Sequence, residues 1–164
     1  MPSKTFGILA VWIITCAMAL ASCSGGNSTA ANEYYHIDDG IWDSQDTALF
    51  RIDSSRADGD YVLDIALRTT HDVQFQKLYL VAEQRYEKPA LYSKDTVCVQ
   101  LTDTMGKMLG SGLRLNNYSV IAKGNMHLRK GQNGQIKVYH IMRRTQTSGI
   151  TDIGINLHDE NSSN

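Results

Sequence analysis

The sequence predicts an all-β protein: one antiparallel β-sandwich, immunoglobulin-like or jelly-roll-like, preceded by a lipoprotein signal peptide and a flexible tether. Three observations lead to this prediction. Apolar residues recur with a period of two along much of the chain, as in strands that have one buried face. Turn residues separate these segments, and only two prolines occur. An apolar N-terminal run ends at a cysteine, which is the pattern of a lipoprotein precursor.

The N-terminal segment has the parts of a signal peptide. Lys4 supplies a positive charge, an apolar run covers residues 6–20, and Ser22 stands directly before Cys23. The run is shorter than the ~20 residues that span a bilayer, and no charged stop-transfer flank follows it. We therefore expect removal of residues 1–22 and acylation of Cys23, which joins the protein to the lipid bilayer. An uncleaved membrane anchor is the alternative.

The rest of the chain divides into a tether, a domain and a tail. Residues 23–32 comprise the lipidated cysteine and a small, polar segment without apolar periodicity, expected to be a flexible tether with a span of ~15–18 Å. The sandwich domain is predicted over residues 33–160, and residues 161–164 are expected to be a disordered tail. The mature chain, about 140 residues long, is large enough to bury roughly 70% of its unfolded surface.

Charge and cysteine content exclude several classes of function. The formal net charge is −1 at pH 7, so nothing indicates a nucleic-acid partner. Of the three cysteines, Cys16 lies in the signal and Cys23 is expected to be acylated, which leaves no pair for an intramolecular disulfide. Cys98 is predicted to be a packed, unreactive small hydrophobe.

The first strand signals are followed by a segment that fits two patterns. Residues 49–53 end before Asp58-Gly59, a dipeptide that suits a two-residue hairpin turn. Residues 61–68 alternate cleanly between apolar and polar side chains. Residues 75–86 fit both helical and strand spacing, and the Leu-Tyr-Leu-Val run at residues 78–81 favours the strand.

The later signals complete an antiparallel sandwich. They are a strand through Val97, Val99 and Leu101 before a turn at residues 103–106, a hairpin at Asn133-Gly134 between residues 126–130 and 135–144, and a last strand through Ile153, Ile155 and Leu157. Within the turn, Gly106 is expected to take a left-handed conformation. Gly110 and Gly112 indicate a kink or a close approach of another group.

The search for chemistry predicts no catalytic residue, no metal site and no cofactor. The five histidines are scattered without metal-ligand spacing, and no nucleophile elbow or phosphate-binding glycine loop occurs. His140 alternates with apolar neighbours and is expected to be a hydrogen-bonded structural histidine. The paired aspartates at residues 38–39 and at 58 and 60 lie near turns and are expected to be solvated.

Three residues are candidates for a partner contact. Arg143 and Arg144 are predicted to end a strand beside a polar loop, where guanidinium groups suit carboxylate recognition. Asp152 is expected to brace this loop by pairing with Arg143. Trp42 could stack on a sugar ring, although a place at the edge of the core is the commoner role for such a residue.

Two stretches, with Trp42, residues 61–68 and the lipidation signal, resemble one protein family. The first is Asp95–Gly112, which reads DTVCVQLTDTMGKMLGSG, and the second is Tyr139–Arg144 followed by residues 149–155. Together they are similar to the gliding-motility lipoprotein H (GldH-type) family of Bacteroidota. The resemblance covers nearly the whole predicted domain.

The resemblance implies a non-enzymatic envelope lipoprotein, linked to gliding motility and to type IX secretion. Its expected partners are envelope proteins of that machinery. We expect the outer membrane, facing the periplasm, because Ser24 is not the aspartate that retains lipoproteins at the inner membrane and no acidic run follows Cys23. The alternative function is a carbohydrate-binding envelope lipoprotein that uses Trp42 as its stacking platform.

Overall fold

Two four-stranded antiparallel sheets pack face to face in the computed structural model, which describes residues 29–52 and 58–160. The strands are β1 (Thr29–His36), β2 (Ile41–Asp43), β3 (Ala48–Ile52), β4 (Gly59–Thr69), β5 (Lys77–Tyr86), β6 (Leu91–Gln100), β7 (Asn116–Leu128), β8 (Gly134–His140), β9 (Gln146–Ser148) and β10 (Ile150–Asp159), with a 3-10 turn at Asp38–Gly40. Sheet I has the order β1-β10-β4-β7, and sheet II has the order β3-β8-β5-β6. Strands β2 and β9 form a separate ladder. The predicted antiparallel sandwich is confirmed.

The strand order is that of a jelly roll. The pairs β1–β10, β3–β8, β4–β7 and β5–β6 are each antiparallel neighbours, so the chain folds as a set of nested pairs. Among the eight strands of the two sheets, only β5 and β6 follow each other within one sheet. Every other connection passes from one sheet to the other. Of the two sandwich types expected, this order matches the jelly roll.

The core lies between the inner faces of the two sheets. Strand β4 contributes Leu63, Ile65 and Leu67, and β10 contributes Ile153, Ile155 and Leu157, all buried as the alternation predicts. Sheet II supplies Leu78, Leu80 and Ala82 from β5, and Ile136 and Val138 from β8. Burial of each large aliphatic side chain stabilises the fold by about 1.5–3 kcal/mol. Residues 77–86 therefore form a strand, as preferred above.

Both predicted two-residue hairpins are wrong. Strand β3 pairs with β8 and strand β4 with β10 and β7, so Asp58-Gly59 lies on a connection between sheets. Asn133-Gly134 likewise lies between β7 in sheet I and β8 in sheet II. These dipeptides do allow sharp changes of direction. The partner of each strand, however, is decided by burial of its apolar face and not by the turn beside it.

The predicted tether boundary also changes. Strand β1 begins at Thr29 and pairs with β10 through Ala31 and Asn32, so residues 29–32 belong to the domain. An edge strand needs only main-chain hydrogen bonds on one side, which small polar residues can make without apolar periodicity. The predicted signal peptide, Cys23 and the predicted tail lie outside the described residues.

The two ends of the sandwich differ in what they carry. Thr29 pairs with His158 on β10, so both ends of the described domain lie at one end of the sandwich with the turns at residues 87–90 and 129–133. We call this the tether end. The connections 37–47, 70–76, 101–115 and 141–149 lie at the opposite end, which we call the loop end.

Candidate functional site

Trp42 lies inside the protein, with 0% of its surface exposed. Its indole N–H donates to the main-chain oxygen of Asp46 over 3.0 Å. Its ring meets that of His140 edge-on, with centroids 5.1 Å apart and an interplanar angle of 72°. Stacking on a sugar needs an open ring face, so the expected partner contact and glycan platform at Trp42 are wrong. The ring belongs to the core.

His140 is a hydrogen-bonded structural histidine, as predicted. Its Nε2 atom lies 3.2 Å from the Trp42 carbonyl oxygen, and its Nδ1 atom accepts from the Met142 main-chain N–H over 3.4 Å. Burial lowers the pKa of His140, while the Trp42 carbonyl and Asp43 oppose this shift. A donor at Nε2 and an acceptor at Nδ1 describe a neutral imidazole.

Arg143 and Arg144 are both exposed, on the connection between β8 and β9 at the loop end. The sequence predicts that this strand runs to Arg144, but strand β8 ends at His140. The connection is nevertheless held in place, because the Ser44 N–H donates to the Thr145 oxygen over 2.7 Å. The buried Thr147 hydroxyl then donates to the Trp42 oxygen over 3.3 Å. Two guanidinium groups thus project from a short, supported loop.

Asp152 does not brace this loop, and that prediction is wrong. Its Oδ1 atom lies 3.0 Å from Nδ1 of His36. Asp152 and His36 are opposite each other in the β10–β1 register, so the two side chains leave sheet I on the same face. His36 is mostly exposed, and such a pair contributes about 0–1 kcal/mol. Within residues 29–52 and 58–160, no acidic side chain pairs with Arg143 or Arg144.

A second feature of the loop end is the long connection 101–115, which exposes apolar side chains. Met105 is 88% exposed, Leu109 53% and Leu113 98%. The predicted turn is confirmed: Asp103 Oδ1 accepts from the main-chain N–H groups of Met105 and Lys107, both over 2.9 Å. Gly106 has the expected left-handed conformation, with φ of 83°. Met105 is therefore presented by a hydrogen-bonded turn, and Leu109 and Leu113 are exposed further along the same connection.

Two glycines of this connection are closely approached, also as predicted. A Cβ at Gly110 would lie 2.7 Å from the Tyr118 ring, and one at Gly112 would lie 2.1 Å from the Leu115 oxygen. The Tyr118 hydroxyl donates to the Leu101 oxygen over 2.8 Å. The connection thus packs onto the start of β7, where side chains at these two positions would not fit.

At the tether end, a cleft of ≈ 700 Å³ opens on the outer face of sheet II. One row of residues crosses all four strands there: Arg51 pairs with Gln135, Gln135 with Arg85, and Arg85 with Tyr92. On β3, β5 and β8 the adjacent side chains are buried, namely Phe50, Ile52, Gln84, Tyr86 and Ile136, so this row lies on the outer face of the sheet. Tyr92 is 55% exposed.

The walls of the cleft are fixed by a buried amide. The Gln132 side chain donates from Nε2 to the Pro89 oxygen over 2.7 Å and accepts at Oε1 from the Arg129 main-chain N–H over 2.9 Å. The Glu87 N–H donates to the Asn133 oxygen over 2.9 Å. These bonds join the β5–β6 turn to the β7–β8 connection, so the two rims of the cleft are held together.

The outer face of sheet II is basic. Its strands direct five cations and one acid outward, namely Arg51, Lys77, Arg85, Lys94 and Lys137 against Glu83. Arg85 bonds Glu83 Oε1 over 3.2–3.3 Å and lies 5.2 Å from the Tyr92 ring centroid. A hydrogen bond with Tyr139 raises the pKa of Lys94.

Sequence reasoning selected none of these cleft residues. Arg51, Arg85 and Tyr92 lie on three different strands. In the sequence they share one property, which is that each stands at a solvent-facing position in the apolar–polar alternation of its strand. Which solvent-facing residues become neighbours depends on the strand order. The two predicted hairpins pair the wrong strands, so they do not bring these residues together. The cleft residues are therefore candidates that the sequence does not single out, because they depend on pairing across strands.

Two further observations concern the described residues alone. No three His, Cys, Asp or Glu side chains in them come together in a way that could hold a metal ion. In the same ranges, no helix has the length and apolar character needed to cross a bilayer.

Comparison with known proteins identifies a family. The model of the GldH lipoprotein family matches residues 29–157. Among solved structures, that of Eiger TNF from S. frugiperda has 11% identity and a TM-score of 0.34, covering 79% of this chain and 87% of that chain. The infectious bursal disease virus Gx strain structure has 14% identity and a TM-score of 0.23, covering 81% and 33%. Both TM-scores are below 0.5, so neither similarity is used to assign a function or a family to this chain. No curated protein matches significantly.

The family match and the sandwich define the class of protein, an envelope lipoprotein with a β-sandwich domain. The chain belongs to the GldH lipoprotein family, since that family's model covers most of its length. Family membership makes it a membrane-anchored protein of the cell envelope, and the resemblance found in the sequence is confirmed.

Proposed function

We propose that this protein is a non-enzymatic interaction component of the envelope machinery for gliding motility and type IX secretion, held to the membrane by acylated Cys23. The observation that carries the proposal is the family match over residues 29–157. The precursor pattern at residues 6–23 supports the lipid anchor. Its partners in this proposal are envelope proteins.

The position of the Arg143–Arg144 loop supports a contact with such a partner. The tether enters the domain at Thr29, at the tether end, whereas Arg143 and Arg144 project at the loop end. A lipid attached before Thr29 therefore leaves the loop end free to point away from the membrane. A rigid scaffold that presents a polar loop is the usual setting for binding residues. Both guanidinium groups are available to carboxylates of a partner.

The proposed location is the periplasmic face of the outer membrane. Ser24 and the absence of an acidic run after Cys23 support it. Two acyl chains give stable anchoring where one is marginal. We expect Cys23→Ala to release the domain from the membrane fraction or to leave an uncleaved precursor.

Protease added to intact cells should leave the wild-type protein whole, and its digestion there would contradict a periplasmic location.

Partner capture tests the function. Wild type and Arg144→Ala are crosslinked in the native host, purified, and the captured proteins are compared by quantitative mass spectrometry. Arg144 is exposed, so the substitution should leave the melting temperature unchanged within about 2 °C while lowering the yield of specific partners at least about threefold.

The matched control is Lys130→Ala, which also removes one positive charge but lies at the tether end. This variant should capture the same partners as wild type. If Arg144→Ala and Lys130→Ala both capture partners as wild type does, the loop is not the contact. If the captured set contains no motility or secretion component, the proposed function itself is wrong.

A further inference from the structure

We propose that the cleft at the tether end of sheet II binds an anionic saccharide, with Arg51 and Arg85 contacting its acidic group and Tyr92 contacting its ring. The cleft residues are Arg51, Arg85, Tyr92, Gln135, Asn133 and Glu87. Its volume of ≈ 700 Å³ lies within the range of about 300–1,000 Å³ that is usual for small-ligand sites. This site is separate from the Arg144 loop at the other end of the domain.

Charge selects the anion. The outer strand positions of sheet II carry five cations against Glu83, with Lys77 at the far end of β5 and Glu87 adding one acid at the cleft, although the whole chain has a net charge of −1. Arg85 is oriented by its two bonds to Glu83 Oε1. Among residues 29–52 and 58–160, none forms a hydrogen bond or ion pair with the Arg51 guanidinium. Arg51 and Arg85 lie on either side of Gln135 in the register, and a guanidinium can bind a carboxylate or phosphate through two parallel bonds.

The other cleft groups select a saccharide over a bare anion. Tyr92 is 55% exposed, and the Arg85 guanidinium lies over one face of its ring, 5.2 Å from the centroid, so an apolar sugar face would pack against the opposite face. Gln135 and Asn133 offer amide donors and acceptors, and Glu87 offers an acceptor for hydroxyl groups. A combination of one aromatic face, several hydrogen-bonding groups and a cation pair fits a polyhydroxylated ring that carries an acidic group.

The shape of the site favours this ligand over a membrane surface or an acidic protein segment. The cleft is bordered by Glu87 and Ala90 of the turn at residues 87–90 and by Asn133 of the connection 129–133, and a single sugar ring can lie between these borders more easily than a planar array of headgroups can. The bonds through Gln132 and Asn133 hold both rims, so the recess exists before a ligand binds. A preformed recess lowers the cost of ordering groups on binding.

The test is isothermal titration of the full-length lipoprotein, purified in a neutral detergent. The probes are trigalacturonate, its fully methyl-esterified form, poly-L-glutamate, glucose 6-phosphate and phosphatidylglycerol vesicles. We expect trigalacturonate or glucose 6-phosphate to bind, and the neutral ester to bind at least about tenfold more weakly than trigalacturonate. Arg85→Ala and Tyr92→Ala should each weaken binding about tenfold. Arg85→Lys, which keeps the charge and loses the fork, should fall between wild type and Arg85→Ala.

The control is Arg114→Ala, which removes one exposed arginine at the loop end and should bind as wild type does. Thermal melts show whether each variant is folded; if Arg85→Ala is not, Arg51→Ala replaces it. The proposal is overturned if neither anionic saccharide binds, if the neutral ester binds equally well, or if Arg114→Ala weakens binding as much as Tyr92→Ala. Binding of poly-L-glutamate or vesicles alone would assign the face to a protein or to the membrane. None of these outcomes bears on capture by Arg144.

Discussion

Position 134 needs a glycine because the Tyr86 side chain leaves no room for a Cβ there, and not because a turn requires it. A Cβ added there would lie 2.3 Å from Cδ1 of Tyr86 and 2.8 Å from the Arg85 oxygen. Tyr86 is buried and its hydroxyl donates to Gln84 Oε1 over 3.2 Å, so its ring cannot move aside at low cost. The sequence correctly marks this position as special, but the Asn-Gly pattern attributes it to a hairpin.

We therefore expect Gly134→Ala to lower the free energy of unfolding by about 1–3 kcal/mol through overpacking. Urea denaturation followed by circular dichroism measures it. Gly124→Ala is the control, because nothing lies within 4 Å of a Cβ there, and it should change stability by no more than about 0.5 kcal/mol. Equal effects of the two substitutions would show that the Tyr86 contact does not matter.

His140 makes stability depend on pH. Burial holds its pKa below the ordinary value of 6.5, so between the two values the unfolded chain binds a proton that the folded chain does not. The free energy of unfolding therefore falls as the pH falls through this window and is recovered above 6.5. Protonation would also add a hydrogen to Nδ1, which accepts from Met142 in the fold.

The measurement compares urea unfolding at pH 7.5 and pH 5.5 in wild type and His140→Gln. The variant has a neutral side chain at this position and should lose much of the pH dependence of stability. The other four histidines are unchanged in this variant. A slope in His140→Gln equal to that of wild type would assign the effect elsewhere.

At the scale of single elements, β6 shows what the sequence could not decide. The alternation predicted for this strand is confirmed, since Val97 and Val99 are buried. The prediction for Cys98 is wrong, because Cys98 is exposed. Whether the second face of a strand is covered depends on what packs against the sheet, and β6 is an edge strand of sheet II whose outer face is open to solvent.

Thiol labelling tests this alternation directly. Cys98 in the native wild type should react with a water-soluble thiol reagent within minutes, as located by mass spectrometry of peptides. In the double variant Val97→Cys, Cys98→Ser, the moved thiol should react only after unfolding, because position 97 faces the core. Protection of Cys98 in the native protein, or rapid labelling at position 97, would contradict the strand orientation.

The same limit explains the candidate site. Period-two patterns predicted β4, β5 and β10 and most of the buried residues, because burial of one face is a local signal. Pairing between strands distant in sequence is not local. The Asp152–His36 pair and the placing of Arg51 in one row with Arg85 both arise from register between such strands, and neither could be read from the chain alone. Trp42 was ambiguous for a related reason, since its burial is completed by His140.

For the whole molecule, β10 is the strand on which sheet I depends. It lies between β1 and β4 and buries Ile153, Ile155 and Leu157 completely. We expect a chain that ends at Gly149 to show no cooperative thermal unfolding by circular dichroism. A chain that ends at Glu160 should melt within about 2 °C of full length, because it retains every described strand. A cooperative melt of the shorter chain would mean that sheet II and the rest of sheet I are stable without β10.

The nesting of the strand pairs sets the order in which this chain can fold. Contacts such as His36 with Asp152 join residues 116 positions apart, and chains rich in such distant contacts fold slowly. The pair closest in sequence, β5–β6, can form first, and β4 can then pair with β7, whereas β1 has its sheet partner only once β10 has been synthesised. During that interval the apolar faces of both sheets are accessible to proteases and to other unfolded chains. A protein built this way depends on the cell's protein quality control until β10 is in place.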